Sequence, residues 1–197
     1  APTATSNAAT ITFNAVPGIS LHPVNTSACD GSNTSFSVTA TGAGLTYQWQ
    51  ANGGSGWSNL SNTGIYSGVT TNVLALTGVT SGIDGYQYRC VVSGTCSPSV
   101  TSNAAALSIS SLLTINTHPA NTTICVGDNT TFTVAASGAG LTYQWQVNDG
   151  SGWSNLSNTG IYSDVTTASL TLTAVTNIQN SYQYRCVISC TCTAPAN

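Results

Sequence analysis

The chain has 197 residues, no Lys, Glu or Met, only Arg89 and Arg185 as permanent cations, five Asp and a net charge of −3. Two arginines cannot make the basic patch that nucleic-acid phosphates or an anionic membrane surface require, so neither is expected as a partner. At 41% hydrophobic residues the chain is apolar enough to fold, and no stretch approaches the ~18 apolar residues of a membrane-spanning helix, so no membrane insertion is expected.

Leu45–Ser67, LTYQWQANGGSGWSNLSNTGIYS, returns almost unchanged ninety-six residues later as Leu141–Ser163. A repeat of that length is a whole domain, longer than the ~20 to 50 residues of a solenoid unit. The same offset carries Thr5-Ser6-Asn7-Ala8-Ala9 onto Thr101-Ser102-Asn103-Ala104-Ala105, His22-Pro23 onto His118-Pro119, and Tyr86–Cys90 onto Tyr182–Cys186. The expected organisation is an N-terminal strand over residues 1–15, a first module over 16–111 and a second over 112–197.

In chain order, the surplus segment comes first. Thr5, Ser6, Asn7, Ala8, Ala9, Thr10, Ile11, Thr12 and Phe13 match the final strand of the first module, so the chain begins with the last strand of a preceding module. Pro17-Gly18 punctuates, and the strand that follows is kinked at His22-Pro23, as suits a proline at a sheet edge. After the Asp30-Gly31 turn, Phe36, Val38 and Ala40 share one face of a half-buried strand. Leu45, Tyr47 and Trp49 alternate inward next, and Asn52-Gly53-Gly54 closes a hairpin. A short strand spans Trp57 to Leu60, Leu74 and Leu76 face the core of another, and Tyr86, Tyr88 and Cys90 share the inward face of the strand after it. Short strands at turn spacings of 8 to 12 residues, with no helical period anywhere, predict an all-β antiparallel sandwich in each module. The expected cores centre on Val38, Trp49 and Tyr88, and on Val134, Trp145 and Tyr184. The second module runs out before any counterpart of Thr101–Ile109, leaving it one strand short.

Of the seven cysteines, six fall in register: Cys29 with Cys125, Cys90 with Cys186, and Cys96 with Cys192, while Cys190 stands where the first module has Gly94. This usage points to a disulfide-permissive compartment outside the cytoplasm. Cys186, Cys190 and Cys192 lack the paired Cys-x2-Cys knuckles of a structural zinc site, and the five Asp stand singly in turns rather than in the clusters that hold calcium. No metal and no cofactor are therefore expected. His22 and His118 are equivalent residues in separate modules with no recurring nucleophile or carboxylate beside them, so no catalytic residue is assigned and the chain is not expected to be an enzyme.

Several motifs together carry a resemblance. Val38, Trp49, Asp84, Tyr88 and Cys90 stand where an immunoglobulin-like domain has its second-strand cysteine, its core tryptophan and the D-x-x-x-Y-x-C run with its corner tyrosine. With Cys29-x-Gly31-x-x-Thr34-x-Phe36, LTYQWQ, YQYRCVVSGTC and VTSNAAAL, the chain resembles the tandem immunoglobulin-like repeats of long secreted surface proteins of Bacteroidota-type bacteria, often exported by type IX secretion. The resemblance implies two tandem sandwiches, an extracellular or cell-surface location, and pairing of Cys29 with Cys96 and of Cys125 with Cys192. An immunoglobulin topology would place Cys29 and Cys96 at opposite ends of a module, which leaves open bridges between neighbouring modules, or Cys90 with Cys96 across one hairpin. Val38 departs from the antibody pattern, because it removes the usual partner of Cys90. Asn180 replaces the aspartate in the second module.

Three roles follow as expectations. The first is a structural subunit or repeat of an extracellular filament, assembled with copies of itself by insertion of Ala4 to Asn14 into the open second module of a neighbour. The second is an adhesin binding a glycan or a cell surface through the loops of Trp57 and Trp153, aromatics beside Asn and Ser. The third is an accessory module of a secreted hydrolase. Six Asn-x-Ser/Thr sequons, at Asn25, Asn33, Asn59, Asn121, Asn129 and Asn155, are candidate glycosylation sites.

Overall fold

The structure, a computed structural model, describes residues 1–192; residues 193–197, the end of the expected second module, lie outside the described residues. The chain divides into two compact units, Ala1–Ala28 with Asn33–Ser108, and Cys29–Ser32 with Ile109–Asn197.

The strands of the first repeat are β1 (Gly18–Leu21), β2 (Thr26–Cys29), β3 (Thr34–Ser37), β4 (Thr39–Thr41), β5 (Thr46–Asn52), β6 (Ser58–Asn59), β7 (Tyr66–Ser67), β8 (Val73–Leu76), β9 (Gln87–Ser93), β10 (Val100–Thr101) and β11 (Ala105–Ser110). One sheet runs β2-β11-β9-β5-β6 with β10 also on β9, a second runs β3-β8-β7, and β1 pairs with β4. Pro23 has no N–H to give a ladder, and between β1 and β2 the chain passes from one sheet to another. Alternation along β8 and β9 buries Leu74, Leu76, Tyr88, Cys90 and Val92 against Phe36, Val38 and Trp49. The Trp49 indole N–H donates to the Thr71 carbonyl at 2.9 Å, so the largest core side chain leaves no polar atom unpaired.

The second repeat follows with β12 (Thr114–Thr117), β13 (Thr130–Thr133), β14 (Ala135–Ser137), β15 (Thr142–Asn148), β16 (Trp153–Asn155), β17 (Tyr162–Ser163), β18 (Ser169–Leu172) and β19 (Gln183–Ser189). Its sheets are β16-β15-β19, β13-β18-β17 and β12-β14. Trp145 is buried and donates to the Thr167 carbonyl at 3.0 Å, with Val134, Leu170 and Leu172 packed around it. Phe132 stacks on Tyr184 as Phe36 stacks on Tyr88, at centroid separations of 5.0 and 4.8 Å. The Tyr88 hydroxyl meets that of Tyr66 at 3.3 Å, and Tyr184 meets Tyr162 at 3.2 Å. In each unit this tyrosine pair stands where a corner tyrosine would bond the backbone.

Thr5 to Phe13 forms no strand within the chain, and Ile11 and Phe13 are 80% and 85% exposed. The alternation supplies two faces, but extended backbone needs a partner edge for its N–H and C=O groups. Ordered contact begins just beyond this segment: the Asn14 carbonyl accepts from the Cys96 thiol at 3.4 Å, and the Ala15 carbonyl from the Ala43 N–H at 3.3 Å.

Candidate functional site

The first unit shows how a final strand closes such a sandwich. Val100 and Thr101 pair with Val92 and Val91, and Ala105 and Ala106 pair with Tyr88 and Gln87. Between these two short ladders Ser102 turns inward: its Oγ accepts the Cys90 N–H at 2.9 Å and its own N–H donates to the Cys90 carbonyl at 2.8 Å. The Asn103 N–H donates to His22 Nδ1 at 3.0 Å, and the Ala106 N–H to Asn25 Oδ1 at 2.8 Å. Leu107, fully buried, exchanges backbone hydrogen bonds with Tyr86 and Gly85. The TSNAA signature and the two residues after it thus form a docking motif: Ser102 bridges the interruption between the two ladders, the Asn103 and Ala106 N–H groups reach the β1–β2 segment, and Ala105 and Leu107 enter the core.

In the second unit β19 pairs with β15 along one edge, and its other edge carries no strand among the described residues. The equivalents of fully buried Tyr88, Cys90, Val92 and Val79, namely Tyr184, Cys186, Ile188 and Val175, are only half-buried, and Val187 is 42% exposed. A groove of about 570 Å³ lies there, lined by Phe132, Leu172 and Val175, by Tyr182 and Tyr184, and by the Asn121–Val126 stretch. That stretch is the counterpart of β2 and forms no strand. Burial pushes the Cys90 thiol up to about 11 and moves Cys186 in the same direction. Burial, then the Tyr66 and Tyr162 hydroxyls, raise Tyr88 and Tyr184 above the ordinary phenol value.

The cysteine pairing implied by resemblance requires correction. Cys29 is bonded to Cys192, with Cα atoms 5.5 Å apart and 163 residues between them in sequence, whereas Cys96 and Cys125 are free thiols. The Cys29–Ser32 turn belongs with Ile109–Asn197, the unit that also holds Cys192. The Ser110 carbonyl accepts the Asp30 N–H at 2.9 Å and lies 3.8 Å from Cys192 Sγ. Cys90, Cys186 and Cys190 are also free, so the hairpin pairing of Cys90 with Cys96 is not formed.

Trp57 and Trp153 each lie under a guanidinium, Arg89 at 4.1 Å and Arg185 at 4.2 Å from the ring centroid. Each Arg Nε donates to Gln50 or Gln146, whose amide donates in turn to Asn59 or Asn155. One face of each indole is therefore covered by a cross-strand stack. The tryptophan stack was not legible in the sequence, because it joins residues more than thirty positions apart. Among the sequons, Asn25, Asn33 and Asn129 use Oδ1 to hold a backbone N–H, and Asn121 is exposed at the groove. Among the described residues no group of three His, Cys, Asp or Glu side chains could hold a metal ion, and no helix is long and apolar enough to cross a membrane.

No protein-family model matches the chain. No curated protein matches it either. Solved structures do: the I-band fragment I67-I69 from titin superposes with a TM-score of 0.69 at 19% identity over 87% of this chain and 60% of that one. Sidekick-1 immunoglobulin domains 1-4 give 0.66 at 22% identity over 91% of this chain, which spans only 46% of their length. DIP-gamma IG1+IG2 gives 0.57 at 15% identity over 88% and 89%. At these identities the likeness establishes the fold: the chain is a pair of tandem immunoglobulin-like β-sandwiches.

Proposed function

We propose that the chain is a structural unit of an extracellular filament or surface fibre, joined head to tail by strand complementation. Ala4 to Asn14 of one copy lies along the free edge of β19 in the second unit of the next. The carrying observation is the match between what that edge lacks and what the N-terminal segment offers. At the 96-residue offset Ser6 stands for Ser102, Asn7 for Asn103, Ala9 for Ala105 and Ile11 for Leu107. Ser6 Oγ then accepts the Cys186 N–H, the Asn7 N–H donates to His118, the Thr10 N–H donates to Asn121, and Ile11 fills the groove beside Tyr182 and Tyr184. The apolar side chains left in water at Ile11 and Phe13 gain burial, and the β19 edge gains its ladder.

Such a contact uses different surfaces on the two partners, repeats without closing, and so builds a fibre. The same pairing serves repeats carried on one longer polypeptide, as in the secreted Bacteroidota-type surface proteins the sequence resembles. An adhesin reading draws on the partial exposure of Trp153, but one of the two indole faces a sugar could stack on is under Arg185, which favours the structural role.

Light scattering and electron microscopy on the intact chain, on a chain lacking residues 1–15 and on full-length Ile11→Asp test the reading, with circular dichroism confirming folded units. Assembly by the intact chain and its loss in both variants is expected. Unchanged assembly in both would overturn the reading.

A further inference from the structure

Two free thiols remain where the repeat geometry leads to a bond. Cys125 is the equivalent of Cys29 and is exposed, and Cys96 is the equivalent of Cys192 and is half-buried. Around the disulfide the Ser110 carbonyl is the reference point, since the residue after Cys29 donates its N–H to it and Cys192 Sγ lies against it. Asn14 is the equivalent of Ser110, and Cys96 Sγ already lies 3.4 Å from its carbonyl oxygen. Half of the disulfide environment is therefore assembled at the end of the N-terminal segment, and the other half, Cys125-Val126, borders the open groove.

We infer that Cys125 of one copy and Cys96 of the copy whose N-terminal strand it receives form an intermolecular disulfide that locks each insertion covalently. The inference rests on the strand-complementation reading, because that register carries Asn14 to the place that Ser110 holds. There the Val126 N–H meets the Asn14 carbonyl, as the Asp30 N–H meets Ser110, and the two sulfurs come together. Because Cys96 and Cys125 of one chain face different neighbours, every chain carries two such bonds and the fibre becomes one covalent thread.

The chemistry needs an oxidant of the low-molecular-weight disulfide class, such as glutathione disulfide. The Cys125 thiolate attacks one sulfur of the oxidant, breaking its S–S bond and expelling one thiolate. The Cys96 thiolate then attacks Cys125 Sγ in the mixed disulfide and expels the second. Two protein thiols lose two electrons and two protons, and one oxidant disulfide becomes two thiols.

The test incubates the intact chain with glutathione disulfide and follows it by scattering, non-reducing gels and peptide mapping, beside Cys96→Ser, Cys125→Ser and an equimolar mixture of the two variants. The expected result is a ladder of covalent oligomers for the intact chain, joined through a Cys96–Cys125 peptide. Each variant alone assembles without a ladder. The mixture stops at covalent dimers, because only one bond can form between a chain that keeps Cys125 and a chain that keeps Cys96. Assembled fibres that run as monomers on a non-reducing gel, or that are linked through Cys90, Cys186 or Cys190, would overturn the lock and leave strand complementation standing. Failure of every chain to assemble would overturn both.

Discussion

Ser102 Oγ accepts the backbone N–H of Cys90 at 2.9 Å, and both residues are buried. A side chain thus supplies the acceptor at a point where the ladder between the last two strands is interrupted. Removing it leaves a buried donor unpaired, so Ser102→Ala destabilises the first unit by about 1–3 kcal/mol, read from urea unfolding. Ser6→Ala leaves unfolding of the unassembled chain unchanged, since Ser6 is exposed there. It raises the concentration needed for assembly by roughly tenfold, the equivalent of ~1.4 kcal/mol at one hydrogen bond.

The Arg185 guanidinium lies 4.2 Å over the Trp153 ring and donates to Gln146. Arg185→Ala uncovers the indole and shifts its fluorescence to longer wavelength, while costing only about 0.5–1 kcal/mol, as an exposed cation–π contact does. Arg185→Lys, which keeps the charge but loses the planar fork, recovers part of the fluorescence shift. An unchanged emission spectrum in Arg185→Ala would show that the stack is not populated in solution.

Cys29→Ser opens the disulfide to Cys192 and leaves the other five cysteines in place. The lost constraint destabilises the chain by roughly 2–5 kcal/mol. Reduction of the intact chain lowers the urea midpoint by the same amount, whereas reduction of Cys29→Ser lowers it no further.

Thiol chemistry should follow burial. Exposed Cys125 is alkylated at neutral pH, whereas Cys90, with its thiol pushed up to about 11, stays unmodified in the folded chain. A folded-state value above the ordinary 9.0 means that the folded chain holds its proton more tightly than the unfolded chain does. The stabilisation from this site is therefore complete below pH 9 and is lost as pH rises towards 11. Tyr88 is raised in the same sense and extends the loss to higher pH. Urea midpoints measured from pH 8 to 11 should fall steadily; a flat profile would contradict the burial of Cys90.

Much of the sandwich was legible because its determinants are local. The alternation of Leu74 and Leu76, the turn at Asn52-Gly53-Gly54 and the repeated LTYQWQ each state their own structure within a few residues. Relationships between distant strands were not legible. The tyrosine pair of Tyr66 and Tyr88, the stack of Arg89 on Trp57 and the bond of Cys29 to Cys192 depend on register and on which unit a turn joins, neither of which has a local signal. Thr5 to Phe13 marks the boundary between the two cases. Its alternation reads as a strand, yet within the chain it forms none, because propensity cannot replace a partner edge.

Hydrogen exchange on the assembled and the dispersed chain tests strand complementation most directly. The account predicts that peptides covering Thr5 to Phe13 exchange at the rate of open coil in the dispersed chain and become protected on assembly, together with Gln183–Ser189 of β19. Fibres in which Thr5 to Phe13 still exchange as open coil would contradict it.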